Sequence, residues 1–523
     1  MQTLQSDSQP SVSAATDSFL KPAVQSTASP KTRREVPSSF AADVLRLASG
    51  TASAQLIGIL AAPLIARMFA PQAFGALAIF ASTAGIISVV SCLRYEIAIY
   101  LPERDEDAAN IAALSSVLVT GMSAATAVLV WLFGSPALRL AKLPELVGWL
   151  WLLPLNVFIT GMWTILNCWN QRKRRFLRIT VLQVVTRVAM VGSQIGLGLA
   201  GFSSGLALIG TTVFGAFVTA AILAFQTLQD DRRLFVSSVS WRAIKQLWIR
   251  YSRFPRFGMA AALLNSASFQ LPIILLSGFF SAAVVGSYSF GLRVLRVPGM
   301  LIGTNVNRAF FPRAAEARHR GTLGPSVESA LSYLITLSFF PCFLLTLTGG
   351  SIFSLVFGSR WHEAGVYSQI LSVWLFFWFI SSPLNTVFAV LEEQALELRY
   401  QVANLSTRFL AMVVGGVMGN ARIAIALFTL SGVVVYGSYC VSVLRKSGAS
   451  KSAVSRILWS RMLLFLPAAA LILVAQSFLP SPGVTVGLAI FVLVAYYWNL
   501  LRTDTVARGV LKGFFHRPTP ASE

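Results

Sequence analysis

Charge is scarce in this chain. Of 523 residues only 12% are Asp, Glu, Lys or Arg, against about 25% in ordinary soluble proteins. A surface that faces water cannot be built from so few. Hydrophobic residues make up 55% of the sequence and the mean hydropathy is +0.69, so most of the surface must face something apolar. Histidine is rarer still, with His319, His362 and His516 far apart in tails or loops. The four cysteines, Cys92, Cys168, Cys342 and Cys440, lie in or at the edge of apolar segments. None falls in a loop where a disulfide or zinc site belongs, and they read as packing residues. No GxSxG, HExxH, paired-Cys or Walker pattern is present. On these absences no enzyme chemistry, metal or cofactor is expected.

What is present is a series of long apolar runs, each close to the ~20 residues a helix needs to cross the hydrocarbon core. They predict an all-α polytopic membrane protein of about fourteen spans: 47–69, 75–99, 109–133, 146–168, 179–200, 204–226, 256–280, 286–311, 327–348, 366–391, 403–418, 422–444, 458–479 and 484–501. The runs are continuously apolar, whereas a β-barrel strand alternates over about ten residues. Residues 1–43 are rich in Ser, Thr, Ala, Gln and Pro. They read as a disordered tail with no cleavable signal peptide.

The net charge of +22 is explained by the positive-inside rule rather than by a nucleic-acid partner. With the N-terminus inside, 33 of the 42 Lys and Arg residues fall on the cytoplasmic side, 5 in the opposite loops and 4 within spans. That asymmetry places both termini in the cytoplasm.

A weak internal duplication relates Pro63 to Pro102 with Pro272 to Pro312. In each copy a proline precedes a glycine (Gly75, Gly286), a long span follows, and the span ends at a basic residue (Arg94, Arg308) and a proline. The organisation that follows is a six-helix lobe over 44–226, a cytoplasmic linker over 227–255 and a second six-helix lobe over 256–444. A helix pair over 445–501 and a tail over 502–523 complete it. Within the linker Trp241, Ile244, Trp248 and Tyr251 share one helical face among Arg242, Lys245, Arg250 and Arg253. This suits a helix lying in the headgroup layer as a hinge-like connection, with regulation or partner binding also open.

Arginines inside the spans are the sharpest signal, because a charge near the bilayer centre turns toward a cavity or a partner. At 100° per residue Ser289, Arg293, Arg296, Met300 and Asn307 form one stripe, and Gln183, Arg187 and Gln194 form another. Guanidinium stays charged and matches phosphate or carboxylate geometry. The stripes predict a cationic cavity for an anionic headgroup; helix-to-helix hydrogen bonding or snorkelling is the alternative. Arg408, near the end of its expected span, reads as a snorkelling residue. Arg94 and Glu96 sit at a cytoplasmic helix end, where an ion pair, a gate or a substrate contact would each fit. All twenty Asp and Glu fall in tails, loops or span ends, which disfavours an exporter of cationic drugs. Gly192 with Gly196, and Gly415 and Gly416 with Gly419, suggest close helix packing.

Several segments resemble the bacterial polysaccharide-biosynthesis flippases of the multidrug/oligosaccharidyl-lipid/polysaccharide exporter superfamily. They are GTASAQLIGILAAPLIARMFAPQAFG (50–75), LRYEIAIYLP (93–102) with EDAAN (106–110), and YSRFP (251–255). The pattern Tyr288, Arg293, Pro298 and Pro312 joins them, with FGSRW (357–361) a fainter echo. The likeness covers most of 45–315, and 320–523 fits by helix count. It implies two six-helix lobes in a V, alternating access and a polyprenyl-pyrophosphate-linked oligosaccharide turned across the inner membrane for O-antigen, capsule or exopolysaccharide. In fourteen-span relatives the extra pair borders a groove for the lipid tail. Arg293 carries over as the family-pattern arginine, while Arg187 and Arg296 rest on periodicity. Expected partners are the lipid-linked substrate, membrane lipids and a polysaccharide polymerase or other assembly proteins. A proton- or sodium-coupled drug exporter of the same superfamily, or a membrane polymerase or ligase, are the competing readings.

Overall fold

The computed structural model describes residues 38–140 and 148–503. Of the tails expected at 1–43 and 502–523, residues 1–37 and 504–523 lie outside the described residues, while 38–43 begin a helix rather than belonging to a disordered tail. The chain divides into two units, Met1–Leu45 and Arg46–Glu523, and the second holds the helical bundle. Among the described residues there is no strand. In chain order come α1 (Ser38–Met68), α2 (Pro71–Ser91), the short α3 (Tyr95–Ala98), α4 (Asp105–Leu140), α5 (Leu152–Arg172) and α6 (Phe176–Leu199). They are followed by α7 (Gly205–Ser238), α8 (Trp241–Arg250), α9 (Met259–Phe279), α10 (Ala282–His319), α11 (Leu323–Phe357) and α12 (His362–Ser381). The short α13 (Asn385–Val390), then α14 (Gln394–Val417), α15 (Ala421–Ser447), α16 (Lys451–Phe478) and α17 (Pro482–Thr503) complete the bundle.

Among the described residues twelve helices are long and apolar enough to cross a membrane. The two other long helices, α10 and α14, are those that carry Arg293, Arg296 and Arg308, and Arg399 and Arg408. Their guanidiniums lower the hydropathy of segments whose length would span. Large apolar side chains face outward all round the bundle, among them Leu60, Trp131, Phe225 and Phe491. Such a surface is unstable in water and stable in lipid. The protein is a polytopic helical membrane protein.

Helix ends follow local chemistry. Pro71 and Pro482 occupy first-turn positions, where a missing N–H costs nothing. The side chains of Ser204, Ser240 and Ser450 accept from the backbone N–H three residues on, and Asn420 accepts from Arg422 and Ile423, so α7, α8, α16 and α15 start capped.

Helices α4, α5, α6 and α7 pack mainly on one another, with α5 and α7 at their centre, and α9, α10, α11, α12, α14 and α15 form a second group; α2 packs on α5 and α7 and more extensively on α9 and α10. The pair α16 and α17 leans on α11. There Phe340 stacks on Tyr496 at 3.8 Å, and the Tyr496 and Tyr497 hydroxyls donate to the Thr336 and Leu337 carbonyls at 2.6 and 2.8 Å. At the α7–α8 end, Asp231 accepts from Arg175 at 2.7 Å and from the Trp169 indole at 2.9 Å, tying α5, α6 and α7. Asn110 donates to the Ser238 carbonyl at 2.8 Å and accepts from Ser240 N–H at 2.9 Å, holding the α7–α8 turn.

Four expectations need correction. The span 75–99 is not one helix: α2 stops at Ser91, and Leu93 and Arg94 take positive φ (47° and 66°) before α3. The segment 366–391 is likewise broken at Ser382–Leu384, around Pro383. Arg408 is not near a helix end, because α14 begins at Gln394, and the residue is 2% exposed. Gly192 and Gly196 face open space, unlike Gly415, which meets Ala424, and Gly416, which meets Phe279. The linker also differs in detail. Helix α7 runs on to Ser238, and α8 buries Ile244 and Leu247 against the first group while Trp241 stays exposed. Trp248 stacks on Tyr95 at 5.3 Å and its carbonyl accepts from the Tyr95 hydroxyl at 2.9 Å.

The two groups meet where α2 crosses α10, at the α1–α2 end. A Cβ on Gly75 would stand 1.8 Å from the Ala282 carbonyl oxygen, and one on Gly286 would stand 1.8 Å from that of Pro71. Gly75 follows Pro71 as Gly286 follows Ala282, so the glycines that mark the two sequence copies face each other in a reciprocal contact. No side chain fits there, and overpacking of this kind costs about 1–3 kcal/mol. Gly75→Ala and Gly286→Ala should each lower the thermal midpoint of the purified protein by several degrees. Gly192→Ala, with open space around it, should leave it unchanged; equal effects at all three positions would contradict the crossing.

Candidate functional site

A cavity of about 540 Å³ lies between the two groups, walled by α1, α2, α6 and α7 on one side and α9, α10 and α11 on the other. Its polar side chains are Gln55, Arg187, Gln194, Ser289, Arg293 and Arg296, and the rest of the lining is apolar. Helical spacing explains the set. Arg187 and Gln194 stand on one face of α6, and Ser289, Arg293 and Arg296 on one face of α10.

The guanidiniums are not spent on carboxylates. Among the described residues no Asp or Glu oxygen lies within 4.0 Å of Arg187, Arg293 or Arg296. Arg187 lies against α1 at Gly58, where a Cβ would be 3.5 Å from its Cζ. It is close enough to Arg293 for the two charges to repel. Arg293 lies deep in the protein, yet its surface is open to the cavity. The Arg296 guanidinium sits 5.1 Å above the Phe269 ring, and its Nε is buried without a hydrogen-bond partner among the described residues. Three fixed positive charges in a half-apolar chamber raise its potential strongly. A phosphate or pyrophosphate entering it could accept charge-assisted hydrogen bonds from more than one arginine.

One end of the cavity is closed by aromatic rings. Phe74 meets Phe290 and Trp361 edge-on at 5.2 and 5.0 Å, and Phe290 packs against Phe357 at 4.9 Å and Trp361 at 4.3 Å. Trp361 is fully buried and its indole N–H donates to the Ala66 carbonyl at 2.7 Å. Arg67 donates to the Leu355 carbonyl at 3.0 Å. Gly358, at φ 104°, provides the turn that lets Phe357 and Trp361 both face inward. The FGSRW segment thus forms a plug joining α1 and α2 to α10 and α11.

Other expected site residues stand elsewhere. Gln183 does not line the cavity; its Oε1 accepts from the Thr51 hydroxyl at 3.1 Å and ties α6 to α1. Asn307 is on α10, and its side chain lies outside the described residues. Arg94 and Glu96 are at the α7–α8 end, paired at 3.4 Å. The Arg94 side chain approaches Gly258, at the start of the second group. Burial pushes the Glu96 carboxyl above its ordinary range, against the pull of its own backbone hydrogen bond and of Arg94. Gln55 went unforeseen, since one glutamine in an apolar helix has no periodic partner. No cluster of three or more His, Cys, Asp or Glu suited to a metal occurs among the described residues.

The profile of the family described as polysaccharide biosynthesis protein matches residues 64–366. A sequence relative is the teichuronic acid biosynthesis protein TuaB of Bacillus subtilis (strain 168), 21% identical over 176 residues. That match spans 31% of this chain and 36% of the relative. Among solved structures, the lipid II flippase MurJ in an inward closed conformation superposes with a TM-score of 0.66. It is 10% identical, with 87% of this chain and 98% of MurJ covered. An inward-facing multidrug resistance MATE family transporter of the MOP superfamily superposes with a TM-score of 0.56 at 16% identity, covering 77% and 96%. At such identities the structural likeness establishes the fold, and the profile establishes the kinship: the chain belongs to the polysaccharide biosynthesis protein family.

Proposed function

We propose that the chain is a flippase that carries a polyprenyl-pyrophosphate-linked oligosaccharide across the bacterial inner membrane by alternating access, for O-antigen, capsule or exopolysaccharide synthesis. The observation that carries this reading is the cavity of Arg187, Arg293 and Arg296 with no carboxylate within reach among the described residues. A chamber of that sign attracts a pyrophosphate and repels a cationic drug. Family membership agrees with it, since polysaccharide synthesis needs a lipid-linked intermediate moved from the leaflet where it is made. The tail stays in lipid while the headgroup passes between two groups of helices that separate at one end and close at the other. The aromatic plug and the Gly75–Gly286 crossing form one gate; Arg94, Glu96 and Tyr95 stand where the other would close.

The distribution of basic residues puts the α7–α8 end in the cytoplasm and the plug outside. A membrane-impermeant maleimide added to intact spheroplasts should label Ser359→Cys and spare Ser237→Cys in a cysteine-free background. The opposite pattern would invert the assigned direction of transport.

Charge-assisted hydrogen bonds are worth about 1.5–3 kcal/mol each, so Arg293→Ala and Arg187→Ala should lower flipping by roughly ten- to a hundred-fold. In cells this reads as lost surface polysaccharide with the lipid-linked intermediate accumulating in the membrane and protein levels unchanged. Lysine at position 293 should restore part of the output, because the charge remains and the bidentate fork does not. Full output from both alanine variants would remove these arginines from the pathway.

A further inference from the structure

A second cavity, of about 170 Å³, lies wholly within the second group of helices, between α9, α12, α14 and α15. Its character differs from that of the first. Asn265, Gln401, Asn404, Arg408, Tyr436 and Tyr439 supply both donors and acceptors, with Phe269 and Trp378 adding ring faces. One carboxylate, Glu397, stands in the same wall as Arg408, so the lining carries no net charge.

Three of its polar atoms are left over. Arg408, in the middle of α14 and 2% exposed, lies over the rings of Trp374, Phe428 and Tyr436 at 5.3, 4.9 and 5.8 Å. One of its terminal nitrogens reaches the Tyr436 hydroxyl at 3.5 Å, but its Nε has no partner among the described residues. Asn404 donates to that same hydroxyl at 3.3 Å while its Oδ1 accepts from no donor among the described residues. Tyr439, 5% exposed, likewise has a hydroxyl with no partner among the described residues. Buried polar groups are as a rule satisfied; three orphaned atoms on residues that line one chamber, each covered in this conformation, point to an occupant whose entry uncovers them and supplies the missing bonds.

The occupant must offer hydroxyl-like donors and acceptors together, must present C–H faces to aromatic rings, and must be about the size of one ring. A pyranose meets each requirement; a hydrocarbon tail would leave the polar atoms unpaired, and an anion would meet Glu397. Position adds to this. Phe269 lines the second cavity, and the guanidinium stacked on it is that of Arg296, which lines the first. The two chambers therefore adjoin at the Arg296–Phe269 stack, which has to part for one pyrophosphate-linked glycan to occupy both.

We propose that this second cavity is a carbohydrate subsite, and that Asn404, Arg408 and Tyr439 hydrogen-bond a sugar of the glycan whose pyrophosphate lies against the arginines of the first cavity. This rests on the reading of the first cavity as the pyrophosphate site. Specificity for the glycan then resides in α14 and α15, apart from the charges that hold the headgroup. Sites built to hydrogen-bond a hydroxyl reject ligands that lack it.

Binding to the purified full-length protein tests this with two kinds of probe: polyprenyl pyrophosphate alone, and polyprenyl-pyrophosphoryl monosaccharides carrying glucose, galactose or N-acetylglucosamine. At least one sugar-bearing lipid should bind about ten-fold tighter than the sugar-free lipid, as expected for a hydrogen-bonded subsite. Tyr439→Phe and Asn404→Leu should each erase most of that gain and leave affinity for sugar-free polyprenyl pyrophosphate unchanged. Tyr439→Phe removes a single hydroxyl with no partner, so it keeps the test open if Asn404→Leu fails to fold. Arg293→Ala should weaken both kinds of probe equally; if it weakens neither, the pyrophosphate reading fails instead. A gain that survives both α14–α15 variants, or no gain with any sugar, means that water fills the cavity and overturns the subsite.

Discussion

A guanidinium inside a helical bundle must find a carboxylate, keep its water or, as Arg408 does, lie against aromatic rings. Everything distinctive about this protein follows from the fact that Arg187, Arg293 and Arg296 have the water-accessible solution. Three like charges without nearby acids cannot be packed into a closed apolar core, where each would face a desolvation cost of several kcal/mol. They hold a chamber open between two groups of helices that would otherwise bury their facing surfaces. The chamber therefore holds positive charge that is exposed inward and not neutralised by a carboxylate among the described residues, which under the proposed function is what a path for an anionic headgroup needs. The same cost explains why the acids lie where they do. Asp105, Asp231 and Glu363 are paired with basic residues near helix ends, away from the cavity.

The chamber also needs an end that closes. Backbone contact at Gly75 and Gly286 lets α2 and α10 approach without intervening side chains, and the rings of Phe74, Phe290 and Trp361 fill what remains. The contact is reciprocal because each glycine stands four residues after the residue whose carbonyl the other approaches. Two polar bonds cross the same end, from the Trp361 indole to the Ala66 carbonyl and from Arg67 to the Leu355 carbonyl. At the opposite end the joint has another nature: consecutive left-handed residues, Leu93 and Arg94, a buried carboxylate at Glu96 and a docked amphipathic helix.

Much of the architecture was legible in the sequence because lipid imposes length and continuous apolarity on each helix. The arginine faces were legible too, since 100° spacing places Ser289, Arg293 and Arg296 together whatever surrounds them. Spacing alone could not separate Gln183 from Gln194. They share a face with Arg187, and only the approach of α1 decides that one bonds Thr51 while the other meets the cavity. The break after Ser91 was hidden because LRYEIAIY contains neither glycine nor proline. Helix α14 was read as short because Glu397, Arg399 and Gln401 suppress its hydropathy. Glu397 and Gln401 line a second cavity, and misplacing the helix start made Arg408 resemble a residue reaching for the interface.

The most direct measurement is transport by the purified protein in liposomes. A fluorescent polyprenyl-pyrophosphate oligosaccharide, added to one leaflet, should become accessible on the other at a rate that depends on the protein. Cationic dyes under a proton or sodium gradient should not be moved. Gradient-driven dye transport with no passage of the anionic lipid would contradict the account.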